Sequence, residues 1–175
     1  MGGGNQTGTV EIVIGGGPDG TDDDHLQTQV EEFHLGVKNT SAWSGNYLEA
    51  GVTAIEMDLN HLLPITPMQP IQIRILIFGA GGTFASEERT PILATGEWTH
   101  HRFGLTSDDL IYLEGGTGVL EDTLGNVTTL LIRNDTEVPT PPRTHPPHVT
   151  ATLGIDNIQA ISEPVPDNTC DTAPL

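Results

Sequence analysis

Basic residues are scarce in this sequence. Six Lys and Arg stand against 24 Asp and Glu, Lys38 is the only lysine, and the formal net charge is −18. Nucleic acids and anionic membrane surfaces are held through Lys and Arg, so both are excluded as partners. Cysteine is nearly absent as well. Cys170 stands alone in a tail of Pro, Asp and Thr, which rules out a disulfide within the chain. No apolar run reaches the roughly 18 residues that a membrane-spanning helix needs, so no membrane insertion is expected. Aromatic residues make up 5% of the sequence, enough for one modest core. The Gly-x-Ser-x-Gly elbow, the phosphate-binding loop and the Cys/His pair are all missing, and with them the signatures of common enzyme classes. Met1-Gly2-Gly3-Gly4 lacks the charged and apolar regions of a signal peptide.

Glycine and proline are plentiful, 21 and 13 residues, and fit many turns between short strands. The clearest strand is Ile71-Gln72-Ile73-Arg74-Ile75-Leu76-Ile77-Phe78, closed by Gly79-Ala80-Gly81-Gly82. Isoleucine at each odd position gives the period of two that places one face against a core. Arg74 then belongs to the opposite, outward face, while the even positions become more apolar toward Phe78, so the C-terminal end of the strand is expected to be covered on both faces. Further strands are predicted over 9–14, 25–31, 33–37, 52–59, 97–105, 126–133 and 150–161, with a weak one inside 83–93. In Val52–Leu59, Ile55, Met57 and Leu59 point inward and Glu56 and Asp58 outward. Ser107-Asp108-Asp109-Leu110 reads as a short helix start with Ser107 as its cap. Pro64, Pro67 and Pro70 make a stiff extended loop of 63–70, and 137–147, with five prolines, reads as a surface loop. At 175 residues this is one domain: a flexible segment over 1–8, an all-β antiparallel β-sandwich with jelly-roll connectivity over 9–161, and a flexible Pro-rich tail over 162–175.

The order of certain stretches resembles a known group. Asn39 to Tyr47 leads into Ala50 to Asp58, followed by Phe78-Gly79-Ala80-Gly81-Gly82, Gly96-Glu97-Trp98-Thr99-His100, Leu130-Leu131-Ile132-Arg133 and Ala151 to Ile158. This is similar to bacterial secreted jelly-roll domains whose described relatives are carbohydrate-binding modules with the galactose-binding-like fold. Across about residues 15 to 161 the resemblance implies that fold, an extracellular location and a structural Ca²⁺. In such modules an Asp of the last strand shares the ion with an early Gly/Asp-rich loop. The matching residues here are Asp156, in Gly154-Ile155-Asp156-Asn157-Ile158, and Asp19, Asp22 and Asp24 of the loop 17–24. The acidic composition agrees with that ion, since Ca²⁺ takes ~6–8 oxygen ligands.

Sugar binding in modules of this kind uses exposed aromatic rings and planar polar side chains. The candidates are Trp98, Arg102 and Tyr47: Trp98 and Arg102 share the face of the 97–105 strand opposite His101, Phe103 and Leu105. The histidines show no metal-ligand spacing. His100 and His101 point to opposite faces, and His145 and His148 are separated by two prolines in a loop. Glu56 and Asp58 read as solvated acids rather than as a glycosidase pair. The expected function is therefore a non-catalytic extracellular module that binds a glycan or another cell-surface component. The alternative is a self-assembling structural subunit of a bacterial surface layer or extracellular filament.

Overall fold

The computed structural model describes residues 9–62, 70–137, 141 and 145–162. The loop of 63–69, most of 138–144, the N-terminal segment and the tail with Cys170 lie outside the described residues. Eleven strands and one short helix follow in order: β1 (Thr9–Val13), β2 (His25–His34), β3 (Gly36–Asn39), β4 (Val52–Leu62), β5 (Ile71–Gly79), β6 (Gly82–Ser86), β7 (Thr90–Ile92), β8 (Thr99–Gly104), β9 (Leu110–Glu114), α1 (Leu120–Leu124), β10 (Val127–Asn134) and β11 (His148–Ser162). They form two sheets. The first has the order β1-β2-β11-β4-β8 and the second β3-β10-β5-β6-β9, with β7 also paired to β5. Every pairing between strands is antiparallel.

The sheets pack face to face because each has one apolar face to remove from water. Ile71, Ile73, Ile75 and Ile77 of β5 enter the core with Leu130 and Ile132 of β10. Across from them stand Ile55, Met57 and Leu59 of β4, Phe103 of β8, and Leu153 and Ile155 of β11. The alternation read from the sequence thus set the register of β4 and β5 correctly. The opposite face of β5 departs from expectation at one position. Leu76 is fully buried, as the apolar end of the strand implies, but Arg74 is 1% exposed rather than solvated. The rows explain this: on the outer side of the second sheet Leu76 lies between Leu131 and Ala85, with Ile111 beyond. With Leu113 and Phe78 they form a second, smaller apolar cluster.

The helix expected at Ser107 is absent. Thr106 closes a turn there instead, through its amide and hydroxyl to Asp109 Oδ2 (3.0 and 2.6 Å). A helix would have pulled Leu110 and Leu113 from their buried places in β9, so packing overrides the local cap. Helix α1 lies further on, with Leu124 in the core and the Thr123 hydroxyl donating to Gly82 O. The runs predicted over 25–31 and 33–37 are one long β2 followed by β3. Glu32 at φ 46° marks the irregularity between Val149 and Ala151 where β2 faces β11.

Candidate functional site

Antiparallel pairing sets side chains of neighbouring strands opposite one another, so the outer face of the first sheet can be read row by row. Glu56 of β4 faces Arg102 of β8, and Asp58 faces His100. On the other side of β4, Asp58 faces Asp156 of β11. The contacts follow that register. Arg102 donates to Glu56 Oε1 at 2.8 Å, and His100 Nδ1 lies 2.9 Å from Asp58 Oδ1 and its Nε2 3.5 Å from Glu56 Oε2. Asn157 Nδ2 donates to Asp58 Oδ2 at 2.8 Å. The outcome is a continuous strip of planar polar groups, Arg102, Glu56, His100, Asp58 and Asn157. Its charged members carry water-facing edges, with 44% of the Arg102 side chain and 60% of the His100 side chain exposed.

The electrostatics of the strip is internally matched. The hydrogen bond from Arg102 holds the Glu56 carboxyl below its usual range. The hydrogen bond to Asp58 raises the His100 pKa, with Glu56 adding to it. A raised histidine pKa stabilises the fold below the unfolded value of about 6.5, and that contribution disappears as pH rises through the higher folded value. Melting curves should accordingly show His100→Ala below wild type near pH 5.5, with the gap closing by about pH 9. A gap independent of pH would mean that the His100–Asp58 contact carries no charge.

At its Arg102 end the strip opens into a cleft of about 510 Å³, lined by Ser86, Glu87, Glu88, Thr90, Phe103, Gly104, Asp108 and Asp109. That volume falls within the roughly 300–1,000 Å³ of small-ligand sites. Carboxylates and an arginine around a cleft supply paired acceptors and donors, which suits a ligand rich in hydroxyl groups. Of the cleft residues, only Arg102 was legible beforehand. The others come from the ends of β6, β7 and β8 and from the β6–β7 and β8–β9 loops, which nothing in the local sequence brings together.

The other candidate residues are placed differently. Tyr47 is a correction: it is buried at 7% exposure, and its hydroxyl donates to Trp43 O at 2.7 Å, so its ring is part of the core. Trp98 stands just before β8, half-buried, with its indole N–H donating to Gly16 O at 3.0 Å and its ring edge-on to His25 at 5.1 Å. Only a glycine at 154 lets it lie there, since a methyl group at that position would fall 2.8 Å from the ring. Trp98 therefore anchors the 15–24 loop to β11 instead of standing free on the strand.

In that loop Asp24 Oδ1 accepts the Gly15 amide (2.9 Å), and Asp19 and Asp22 are exposed. Asp23, not among the candidates, takes the Asp19 amide at 2.9 Å. Asp156 accepts the Asn157 amide with Oδ1, while its Oδ2 is buried with no partner. Burial raises its pKa, and the charges of Asp23 and Asp58 raise it further. Among the described residues, no three carboxylate or imidazole groups already converge as a metal-binding set.

No protein-family model matches the chain, and no curated protein matches it. Solved structures do. A Family 11 carbohydrate-binding module of a Clostridium thermocellum cellulosomal cellulase superposes with a TM-score of 0.53 at 12% identity, covering 92% of this chain and 85% of the module. The fold is that of the β-sandwich jelly-roll carbohydrate-binding modules. A Family 11 carbohydrate-binding module from Clostridium thermocellum in complex with a β-1,3-1,4-mixed-linked tetrasaccharide matches at TM-score 0.53 and 14% identity, over 91% of this chain and 85% of that one. An exo-β-agarase matches at TM-score 0.58 and 14% identity; the chain is 94% covered but spans only 23% of the agarase.

Proposed function

We propose that this chain is a non-catalytic glycan-binding module that takes its saccharide along the Arg102 strip and into the adjoining cleft. The observation that carries the reading is the strip itself: four planar side chains paired in register across β4 and β8, with Asn157 of the β11 bulge bonded to Asp58, ending at a cleft on a fold shared with carbohydrate-binding modules. Its chemistry favours binding over hydrolysis. A glycosidase acid needs a carboxyl held protonated, and Arg102 holds Glu56 ionised. Asp156 is shifted upward, but its unpartnered oxygen is buried beneath the surface. Affinity electrophoresis against soluble β-glucans, including mixed-linked β-1,3-1,4-glucan, tests the proposal. Retardation is the expected result, and migration unchanged across a broad polysaccharide panel would refute it.

The reading includes an extracellular location and a structural Ca²⁺. Support for the ion comes from Asp156, whose buried oxygen lacks a partner while Asp23 and Asp58 crowd it with like charge. A cation beside Asp156 would relieve both, with Asp23 as the loop carboxylate whose charge Asp156 feels. A cation bound only by the folded state adds RT ln(1 + [L]/Kd), about 2.7 kcal/mol at a hundredfold excess over Kd. Excess Ca²⁺ should therefore raise the melting temperature over that in EDTA, and Asp156→Ala should abolish the difference. Identical curves with Ca²⁺ and with EDTA in wild type would rule the ion out.

A second reading, self-assembly as a surface-layer or filament subunit, is favoured by one feature. Edge strand β1 and the residue after it expose Val10, Ile12 and Ile14 at 52%, 73% and 81% in one apolar line. An uncovered apolar edge strand is a template for pairing between chains. Light scattering separates the two readings, since a glycan module acting alone remains monomeric.

A further inference from the structure

Three of the seven histidines gather at one end of the first sheet, well apart from the Arg102 strip. β2 ends at His34 and β11 begins at His148, and the two are directly opposite in the antiparallel register. Their ring centroids are 4.5 Å apart at 76°. His145, carried on Pro146-Pro147, lies 5.5 Å from His34 with the rings inclined at 19°. Phe33 packs against the group, 5.2 Å from His34 and 5.7 Å from His148. His34 Nδ1 is buried and has no hydrogen-bond partner.

We propose that His34, His145 and His148 form a site for a divalent first-row transition-metal ion of the Zn²⁺ class. The spacing is the first argument. With zinc–nitrogen bonds of about 2.0–2.1 Å, each ring centre lies roughly 3.2 Å from the ion, so two rings on a tetrahedral ion are about 5 Å apart. The two separations, 4.5 and 5.5 Å, bracket that value. The ligand chemistry is the second. Neutral imidazole suits Zn²⁺, Ni²⁺ and Cu²⁺ and is a poor ligand for Ca²⁺ and Mg²⁺. Three histidines leave a fourth position for water or an outside ligand, as in open zinc sites.

Among the described residues no group of three or more His, Cys, Asp or Glu is placed to hold a metal ion, so the ion must reorient rings. His145 and His148 are exposed and their outer torsions are soft, which makes that movement inexpensive. His34 and His148 need the least change, since strand pairing already holds them together. The ion would tie the 145–148 segment to the end of β2. In the sequence His145 and His148 alone showed no such site, because the third ligand is more than a hundred residues away and arrives only through the pairing of β2 with β11.

Titration calorimetry of the full chain with ZnCl₂ in a chelator-free buffer tests this, with MgCl₂ as the comparison. One Zn²⁺ per chain is expected, with no saturable response to Mg²⁺, and binding at least tenfold weaker in each of His34→Ala, His145→Ala and His148→Ala. Bound Co²⁺ should give the visible absorption of a four-coordinate nitrogen-ligated ion, lost in the same variants. His145 lies on an exposed segment, so His145→Ala keeps the comparison valid if His34→Ala fails to fold. Zn²⁺ binding that is absent, or unchanged in the three variants, would overturn the proposal.

Discussion

Arg74→Ala is expected to cost the fold about 2–5 kcal/mol, through a large buried side chain lost and a buried acceptor left without its donor. Arg74 is one of the largest fully buried side chains. Its guanidinium donates to the carbonyls of Ser86 and Glu87 and, at 3.1 Å, to that of Glu137. Removing it leaves three carbonyls without that donor and opens a cavity. One effect runs the other way. Burial and the neighbouring Arg89 and Arg133 disfavour the charge, while Asp135 favours it, so the alanine variant relieves some repulsion. The bond lost at buried Ser86, at about 1–3 kcal/mol for a buried group left unsatisfied, together with the cavity and the two part-buried bonds, outweighs that relief. Arg74→Met restores volume without donors and should recover less than half of the loss. Urea unfolding measures both variants, and a cost under about 1 kcal/mol for Arg74→Ala would mean that the guanidinium reaches water.

Ile75→Ala, one residue along and on the opposite face, is expected to cost about 2–5 kcal/mol through lost burial and the cavity left behind. Ile75 has no exposed surface and lies across from Ile132 of β10. Ile75→Val, which deletes a single methylene, should cost only about 0.5–1.5 kcal/mol. The two positions together show that β5 is buried on both sides. A strand with one wet face would give a large cost at Ile75 and almost none at Arg74.

That contrast marks what could be read from the sequence. Alternating isoleucines reveal which face of β5 meets the core, because the period of two is local. The fate of the other face depends on which strands lie beside it. Leu131, Ala85 and Ile111 enclose Leu76, and the 86–87 and 137 carbonyls hold Arg74, from positions distant in the chain. For the same reason the alternation of Glu56 and Asp58 was visible while their partners Arg102 and His100 were not. At Ser107 the local cap signal was real and lost to the packing of β9. Tyr47 and Trp98 were recognised as scarce rings, but whether each faces water depended on Trp43 O, Gly16 O and Gly154, contacts that the chain makes only when folded.

The second sheet offers a physical competitor for the location of the ligand site. The outer face of the second sheet presents Phe78, Ile111 and Leu131 around buried Leu76, beside an open groove bordered by Thr83, Glu114 and Thr128. The two faces belong to different sheets, so variants distinguish them cleanly. Titration of the best-retarding polysaccharide into wild type, Arg102→Ala and Phe78→Ala is the most direct measurement of the central claim, with a melting curve for each. The account predicts at least tenfold weaker binding for Arg102→Ala, about 1.4 kcal/mol, with the fold retained and with Phe78→Ala binding as wild type does. Binding that survives in Arg102→Ala and fails in Phe78→Ala would contradict it and move the site to the second sheet.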